Sequence, residues 1–397
     1  MYTCGSEKTM KSSVPFIESL NPMNKSFTVQ QSALLSLLAS MQPICTKRTA
    51  LDVTESILFQ VSPRELILKS TDLEISLQSS VQIESSLTES FKFLVSGKRI
   101  FDLVKELDGE IEFVFEEKNI RINASSSIGL SLAVKESDDF PPFPECIENL
   151  MHMEASFLLS MLGKVGFLVS SNNANPALNG MLLDCNAEQV SMVATDGHSL
   201  VRVATSLYKL HEEKKWLLPK RAVLELKKIL EVQSVEQVFL GTCNGQLVFS
   251  GPTFNFFTRL IAEPFPHYEP VLEKEGFIGA TLDRDAFSKT LKRAGCLLAG
   301  QFISTAFTFK PGSLGVRLDN KEVGTLHEAL MLGTFEGKEV ASRFYSPYLL
   351  SGLQIFNEKE VSLFIKNDAR PIIFESIQEN LKVTYVVMPI SAQQNPT

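Results

Sequence analysis

The sequence predicts an α+β protein of three similar domains, each with two helices and a larger set of antiparallel strands. One observation is that the same order of helical and strand-like segments occurs three times, which indicates an internal repeat. A second is that equivalent positions recur at a near-constant spacing, such as the 124 residues between Thr71 and Thr195. A third is length, because 397 residues exceed the usual domain of about 100 to 150 residues and can form several cores.

Two helical segments are predicted in each copy. In the first one, apolar residues recur three or four positions apart, which places them on one face of a helix. These first segments begin near Phe27, Met153 and Leu282. The second segments span residues 97–107, 220–230 and 347–356.

The spacing of other features agrees with three copies. Phe93 and Trp216, in the strand-like stretches before the second helices, are 123 residues apart, and Trp216 and Phe344 are 128 apart. Thr71-Asp72 recurs as Thr195-Asp196, and the polar pair Asp319-Asn320 follows after a further 124 residues. We interpret Asp72 and Asp196 as side chains that cap their own tight turns.

Alternating strand-like stretches, such as residues 111–115 and 361–365, are separated by Gly, Asn, Asp and Ser. Each copy ends in a cluster that combines proline with aromatic or apolar residues. The predicted domains are a flexible extension at 1–24, domain 1 at 25–148, domain 2 at 149–274, domain 3 at 275–391 and a tail at 392–397.

The overall charge gives no indication of tight nucleic-acid binding. The chain has 46 acidic and 38 basic residues, a net charge of -8, so any DNA contact must come from a local basic patch. Its six cysteines are far apart and form no CxxC pair, which favours free thiols in a reducing, cytoplasmic compartment. No stretch has the length of a signal peptide's apolar region or of a membrane span, so no membrane association is expected.

No catalytic site, metal site or cofactor site is predicted. The sequence contains none of the HExxH, GxSxG, GxxxxGK[ST] or GxGxxG motifs, and its five histidines form no ligand-spaced group. Asp72 and Asp196 could be taken for a catalytic carboxylate pair, but their matching positions assign them to different domains. An enzyme with a dispersed site remains one alternative hypothesis.

Five sequence stretches together resemble one known family. They are Ser70-Thr-Asp-Leu-Glu, Leu178-Asn-Gly-Met-Leu, Val193-Ala-Thr-Asp-Gly-His-Ser-Leu, Phe265-Pro-His-Tyr and Tyr385-Val-Val-Met-Pro-Ile. Over residues 25–390 the chain resembles the bacterial replicative sliding clamp, the DNA polymerase III beta subunit. The resemblance implies the DNA clamp fold, a head-to-tail homodimer that closes into a ring around duplex DNA, and a processivity factor that is no enzyme.

If helices line the hole of such a ring, their solvent faces should be basic. In residues 220–230, the basic residues project to one side and the apolar residues to the other. The predicted DNA-facing residues are Arg48, Lys98, Arg99, Lys220, Arg221, Lys227, Lys228, Lys289, Lys292 and Arg293, of which Arg48 rests on the resemblance alone. The alternative interpretation is that these are ordinary solvated helix faces.

The resemblance also implies a peptide-binding cleft through which partners attach. Its predicted residues are Leu178, Thr195, Gly197, His198, Leu200, Pro266, Val271, Val386, Val387, Met388, Pro389 and Ile390. The implied partners are the replicative polymerase alpha subunit, the clamp loader, and other polymerases and repair proteins, each through a short linear peptide. On their chemistry alone, Leu178 and Val386 could equally be core residues, and His198 a turn residue.

Some positions depart from the family's pattern. Ser199, Pro270 and Ser391 occupy places where the family commonly has basic residues. The changes at Ser199 and Pro270 predict weaker contact with acidic positions of a peptide but an intact apolar pocket. The resemblance begins only at Lys25, so residues 1–24 are expected to be dispensable, with Met23 as the expected start. A hub that binds peptides without encircling DNA is the other alternative hypothesis.

Overall fold

The structure is a computed structural model. It describes residues 25–390 apart from positions 86, 117, 126–127, 145, 299–303 and 379. The predicted extension at 1–24, the tail at 392–397 and Ser391 lie outside the described residues.

The described residues form six α-helices, two in each third of the chain, at the places that the sequence pattern predicts. They are α1 (Gln31–Cys45), α2 (Gly97–Lys105), α3 (Ala155–Val165), α4 (Lys220–Gln233), α5 (Arg284–Gly295) and α6 (Ser346–Leu353). Short 3-10 turns occur at Asp52–Glu55, Pro176–Asn179 and Glu269–Val271.

The strands also fall into three sets. Those of domain 1 are β1 (Lys25–Gln30), β2 (Ser56–Val61), β3 (Glu65–Thr71), β4 (Ile75–Gln82), β5 (Glu84–Ser85), β6 (Phe91–Ser96), β7 (Glu110–Glu116), β8 (Asn119–Ala124) and β9 (Ile128–Ala133). Those of domain 2 are β10 (Glu148–Glu154), β11 (Gly180–Cys185), β12 (Val190–Thr195), β13 (Ser199–Thr205), β14 (Lys214–Pro219), β15 (Gln237–Cys243), β16 (Gln246–Ser250) and β17 (Phe254–Thr258). Those of domain 3 are β18 (Ile278–Asp283), β19 (Thr305–Lys310), β20 (Ser313–Asn320), β21 (Gly324–Met331), β22 (Val340–Phe344), β23 (Glu360–Ile365), β24 (Ile372–Gln378) and β25 (Leu381–Val387).

The order of elements is therefore the same in each domain: one strand, a helix, four strands, a second helix and three strands. The two-residue strand β5 is an addition to this plan in domain 1. Every strand pairing in the described residues is antiparallel. The predicted α+β class with three similar domains is confirmed.

The helices are amphipathic and bury their apolar faces against the sheets. In α5, Phe287, Leu291 and Ala294 recur at helical spacing and are at most 1% exposed. The helix begins after Asp283, whose Oδ1 accepts a hydrogen bond from the backbone N–H of Ala286 at 2.8 Å. The two helices of each domain pack against each other, and α1 also contacts α4 across the first domain boundary.

The sheets continue across the boundaries between domains. One eight-stranded sheet has the order β10-β15-β16-β17-β4-β3-β2-β6, so β17 of domain 2 pairs with β4 of domain 1. A second has the order β14-β11-β12-β13-β25-β24-β23-β18, so β13 of domain 2 pairs with β25 of domain 3. Each of the two smaller sheets is confined to one domain, with the order β5-β1-β7-β8-β9 in domain 1 and β21-β20-β19-β22 in domain 3.

The turn between the third and fourth strands of each domain uses the same device. The side-chain Oδ1 of Asp72, Asp196 or Asn320 accepts hydrogen bonds from the backbone N–H groups two and three residues further on. Asx side chains commonly satisfy the backbone of tight turns in this way. The interpretation of Asp72 and Asp196 as turn caps is confirmed.

Two linkers connect the domains, and their aromatic residues repeat as well. In the first linker, residues 134–147, the rings of Phe140 and Phe143 stack with their centroids 6.1 Å apart. In the second linker, residues 259–277, the rings of Phe265 and Tyr268 meet edge to face at 6.0 Å. Phe143 packs against apolar clusters of both domain 1 and domain 2, so the first linker spans the boundary that it connects.

In the part of the chain that the structure describes, no helix is both long and apolar enough to cross a membrane. The same residues contain no cluster of three or more His, Cys, Asp or Glu side chains that could hold a metal ion.

Candidate functional site

Basic residues are concentrated on the helices. The six helices together carry twelve Lys or Arg residues and four Asp or Glu residues. The whole chain, in contrast, has 38 basic and 46 acidic residues, so the remainder of the molecule is strongly acidic. This separation of charge creates a local positive field around the helices in a protein of negative net charge.

Most of the predicted DNA-facing residues have exposed side chains. The exposed members are Arg48, Lys98, Arg99, Lys228, Lys289, Lys292 and Arg293, while Lys220 and Lys227 are half-buried. Some already have acidic neighbours: Lys228 pairs with Glu225 at 3.0 Å, and Arg293 is held by Glu328. The cationic side chains of these two pairs are 57% and 50% exposed, so they remain accessible to a phosphate although Glu225 itself is buried.

Arg221 differs from the other members of this set because it crosses the boundary between domains 1 and 2. It forms an ion pair with Asp72, whose side chain is fully buried. Its Nη2 also donates to the backbone carbonyl of Pro43 at 2.8 Å. Burial lowers the pKa of Arg221. The prediction that Arg221 faces DNA is therefore revised: its guanidinium group is committed to the domain boundary.

The predicted cleft includes the tight turn that precedes β13. Asp196 Oδ1 accepts from the backbone N–H of His198 at 2.8 Å and of Ser199 at 2.7 Å. Thr195 Oγ1 donates to the carbonyl of Ser199 at 2.6 Å and accepts from the N–H of Gly197 at 3.1 Å. Gly197 has a φ of 93°, in the left-handed region that favours glycine. The turn is thus rigid, with His198 exposed at its tip.

The C-terminal strand joins this turn to domain 3. Leu200 and Val386 are partners in the β13–β25 ladder, and the N–H of Met388 donates to the carbonyl of His198 at 2.8 Å. Met388 is 41% exposed, whereas Val386 and Val387 are 1% and 0% exposed. The structure therefore brings these residues together, but Val386 and Val387 belong to the packed interior and could only underlie a cleft.

An apolar cluster, here called the junction cluster, spans domains 2 and 3 beneath the second linker. Its buried members are Ala177, Leu182, Val193, Leu200, Leu217, Tyr268, Ile373 and Val386. Val271 of the linker packs against it while remaining partly exposed. Leu178 is 9% exposed, and its Cδ1 lies 3.8 Å from the position that a Cβ on Gly197 would take.

Two cavities flank the second linker. The larger one, of about 350 Å³, is lined by Pro266 together with Phe265, Leu182 and Leu217. The smaller one, of about 130 Å³, is lined by Val271, Met388, Pro270, Phe277 and Arg370 among others. Leu178 and the turn residues line neither of these cavities, so the predicted set is divided between the turn, the linker and the chain end.

Two tyrosines beside the turn were not predicted from the sequence. The ring of Tyr348 stacks on His198 with centroids 5.7 Å apart and an angle of 14° between the planes. Tyr345 meets Tyr348 at 5.1 Å, and the Tyr385 hydroxyl donates to the Tyr348 carbonyl at 2.8 Å. No sequence signal pointed to them, because the contact joins α6 of domain 3 to a turn of domain 2.

The neighbouring Pro389 and Ile390 are half-buried beside domain 3. The N–H of Ile390 donates to the carbonyl of Arg343 on β22 at 2.8 Å, which holds the described end of the chain against the sheet. A chain end that is tied down in this way presents Met388 at a defined place.

Three domains that share sheets across their boundaries and carry basic helices define the class of DNA sliding clamps. Three family models match the sequence: the N-terminal, central and C-terminal domains of the DNA polymerase III beta subunit, over residues 25–144, 152–267 and 270–391. The chain belongs to the DNA polymerase III beta subunit family. It is a DNA sliding clamp for the replicative polymerase, a processivity factor and not an enzyme, with DNA and a DNA polymerase as partners.

Relatives and solved structures agree with this assignment over nearly the whole chain. The beta sliding clamps of Pseudomonas putida and Pseudomonas aeruginosa are each 27% identical, over 92% of this chain and 99% of the relative. The crystal structure of a DNA polymerase sliding clamp from Pseudomonas aeruginosa with a ligand is 25% identical. It aligns with a TM-score of 0.85, over 92% of this chain and 100% of that one.

Proposed function

We propose that two copies of this chain close head to tail into a ring around duplex DNA and tether the replicative polymerase to it. The observation that supports this most directly is the way in which the sheets end. At both internal boundaries, the fourth strand of one domain pairs with the eighth strand of the next, as β4 with β17 and β13 with β25. The fourth strand of domain 3, β21, and the eighth strand of domain 1, β9, are edge strands. If β21 of one copy pairs with β9 of a second copy, a third junction of the same kind forms. A head-to-tail contact that closes in this way gives a ring.

Hydrogen bonds establish which positions of the eighth strands are equivalent. In each domain, one backbone N–H that follows the eighth strand donates to a backbone carbonyl of the fifth strand. These bonds join Lys135 to Leu94 at 3.0 Å, Ile261 to Leu217 at 2.9 Å, and Ile390 to Arg343 at 2.8 Å. Counting back three residues from each donor gives three equivalent positions of the eighth strands: Leu132, Thr258 and Val387. The residues two places before them are equivalent as well.

Side-chain exposure supports the pairing of β9 with β21. Leu130 of β9 is 36% exposed, whereas its equivalents Phe256 and Tyr385 are each 0% exposed. Leu326 of β21 is half-buried, whereas its equivalent Leu77 is 0% exposed. Leu130 and Leu326 lack only the neighbouring strand that covers their equivalents, and burying a leucine contributes roughly 1.5 to 3 kcal/mol.

The register of the pairing follows from the two internal junctions. At both junctions, the first residue of the fourth strand lies opposite one of the equivalent positions of the eighth strand. Ile75 lies opposite Thr258, and Ser199 lies opposite Val387. By the same rule, Gly324 should lie opposite Leu132 of a second copy. The next pair would be Thr325 and Ser131, both of which have exposed side chains.

A disulfide cross-link tests this arrangement. Thr325→Cys combined with Ser131→Cys should form a covalent dimer on oxidation, in a background in which the exposed native cysteines are replaced by serine. Thr325→Cys combined with Ala133→Cys is the matched control, because diagonal neighbours in an antiparallel sheet lie about 7–8 Å apart. Cross-linking of the control alone, or of neither pair in a dimer seen by light scattering, would refute the register.

The charge distribution supports DNA inside the ring. We propose that Arg48 and the basic residues of α2, α4 and α5, other than Arg221, face the DNA. A sliding protein needs non-specific phosphate contacts, because base-specific contacts would hold it at one sequence. Retention by a closed ring also explains how a chain of net charge -8 can function on DNA.

The topology of the DNA distinguishes this proposal from a peptide-binding hub that does not encircle DNA. We expect the clamp, once loaded, to remain on nicked circular DNA and to leave when the circle is linearised. A hub would show no difference between the two forms. Lys220→Ala, Lys227→Ala and Lys228→Ala together should flatten the salt dependence of loading, whereas Lys338→Ala, in an exposed loop outside the helices, should not.

We propose that the region around Met388, the 195–198 turn and the second linker binds short linear peptides. Its partners would be the polymerase alpha subunit, the clamp loader, and other polymerases and repair proteins. Leu178, Leu200, Val386 and Val387 would support the floor of the cleft. Two apolar anchors at roughly 1.5 to 3 kcal/mol each, with backbone hydrogen bonds, give an affinity near micromolar, about -8 kcal/mol.

We also propose domain boundaries at residues 25–148, 149–274 and 275–391, and a cytoplasmic location. The described cysteines are all free thiols, which is typical of a reducing compartment. Limited proteolysis should cut first in the first linker, residues 134–147, next to the boundary proposed at 148. Early cuts inside the helices would contradict them.

A further inference from the structure

We infer that the second linker is a two-point anchor that positions Val271 in the peptide cleft, with Tyr268 and Lys274 as positioning residues. This inference rests on the proposed peptide-binding function. Tyr268 fastens the linker to domain 2, and Lys274 fastens it to domain 3. Val271 lies midway, three residues from each anchor.

The Tyr268 anchor is buried in domain 2. The residue is 6% exposed and belongs to the junction cluster, and its hydroxyl donates to Oδ2 of Asp184 on β11 at 3.3 Å. Burial, and then the nearby Asp184 carboxylate, raise the pKa of Tyr268, so the hydroxyl stays protonated as a donor. Edge-to-face contact with Phe265 orients the ring from the linker side.

The Lys274 anchor is an ion pair with domain 3. Its Nζ pairs with Glu375 on β24 and lies 4.2 Å from the ring centroid of Phe364. Glu375 also pairs with Lys382 at 2.6 Å, and its side chain is 12% exposed. Burial opposes the charge on Glu375, but hydrogen bonds from the two lysines outweigh burial and lower its pKa. Glu375 therefore stays charged at neutral pH.

Between the anchors the linker is a short, hydrogen-bonded turn. The N–H of Val271 donates to the carbonyl of Tyr268 at 3.1 Å, within the 3-10 turn Glu269–Val271. After it, the N–H of Phe277 donates to the carbonyl of Lys274 at 3.1 Å, a distance typical of a backbone hydrogen bond. With both ends fixed and the middle bonded, Val271 has little freedom to move relative to Met388.

Because the two anchors contact different domains, both domains determine the position of the cleft wall at Val271. Asp184 belongs to β11 of domain 2 and Glu375 to β24 of domain 3. If a mobile loop forms one wall of a cleft, ordering that loop on binding weakens the affinity, because the lost conformational freedom must be offset by new contacts. A linker that is already fixed avoids this cost, and releasing either anchor should restore it.

The test uses the full chain and a fluorescein-labelled short peptide that ends in a Leu-Phe pair, which supplies the two apolar anchors proposed for the cleft. Tyr268→Phe removes only the hydroxyl, and Lys274→Met removes only the charge. Lys274→Arg retains the pairing with Glu375 and should bind as wild type does. Lys359→Met, an exposed change outside the linker and the cleft, is the matched control.

We expect Tyr268→Phe and Lys274→Met each to weaken peptide binding about fivefold, the effect of losing one hydrogen bond or ion pair. If the anchors act through Val271, neither change should matter further in a Val271→Ala background. Wild-type affinity in both anchor variants, or undiminished effects in the Val271→Ala background, would overturn the inference while leaving the cleft intact. Failure of the wild-type chain to bind the peptide would overturn the proposed cleft, and this inference with it.

Discussion

Arg221 offers the sharpest test of how the domains are joined, since its contacts differ from those expected of a DNA-facing residue. Its guanidinium group pairs with the buried carboxylate of Asp72 and donates to the Pro43 carbonyl at 2.8 Å. Replacing it by methionine, Arg221→Met, keeps much of the side-chain volume but leaves that carboxylate with Lys47 as its cationic neighbour, at 3.7 Å.

The size of the effect follows from burial. Removing one partner of a buried ion pair typically costs 3–5 kcal/mol, because the other charge stays buried without compensation. The remaining contact with Lys47 reduces this, so we expect Arg221→Met to lower the free energy of unfolding by about 2–3 kcal/mol. Asp72→Asn should cost less, about 1–2 kcal/mol, because an asparagine still caps the turn as Asn320 does and Arg221 can reach water.

Urea unfolding of the two single variants and of the double variant measures the interaction. The double variant should lose less than the sum of the singles, with a coupling of about 1 kcal/mol or more. DNA loading supplies the second measurement, and here Arg221→Met should leave the salt dependence unchanged. If Arg221→Met were as stable as wild type but flattened the salt dependence as Lys220→Ala does, the guanidinium group would face DNA after all.

Four further outcomes are expected. Gly352→Ala should destabilise the chain by about 3 kcal/mol in urea unfolding, because its Cβ would lie 1.8 Å from the Tyr385 ring. Leu130→Asp should raise the dimer dissociation constant by at least about tenfold in analytical ultracentrifugation, whereas an unchanged constant would exclude β9 from the interface. Met388→Ala should weaken peptide binding by about tenfold in fluorescence anisotropy without affecting the dimer, and equal affinity would mean that the cleft is elsewhere. Deleting residues 1–22 should leave dimerisation unchanged, and intact-mass measurement of the native protein should identify its start.

Much of the fold could be predicted because the repeat is visible in local patterns. Helical spacing of apolar residues located α4 and α5, and the turn residues Asp72 and Asp196 recur where the third strand ends. Both features depend on neighbours in sequence, so a single chain displays them. The continuation of sheets from one domain to the next could not be found in this way, because pairing of β17 with β4 joins residues far apart in the sequence.

The candidate sites show the same division. The basic face of α4 was visible in its sequence, yet the commitment of Arg221 to Asp72 depends on where domain 1 places that carboxylate. Similarly, Val386 and Val387 are apolar residues near a chain end, and only the pairing of β25 with β13 shows that they are buried. Tyr348 joins His198 through packing between domains, which leaves no trace in the pattern of α6.

The two sheets that cross domain boundaries have a consequence for how firmly different parts of a ring would hold. A strand pair inside one chain is maintained by a covalent linker, which keeps the two edges at an effective concentration in the millimolar range. A strand pair of the same kind between β21 and β9 of separate chains has no such tether, so its occupancy depends on how much protein is present. Junctions with the same hydrogen bonding would therefore differ in how readily they open. Dilution alone should open the ring at the contacts between separate chains.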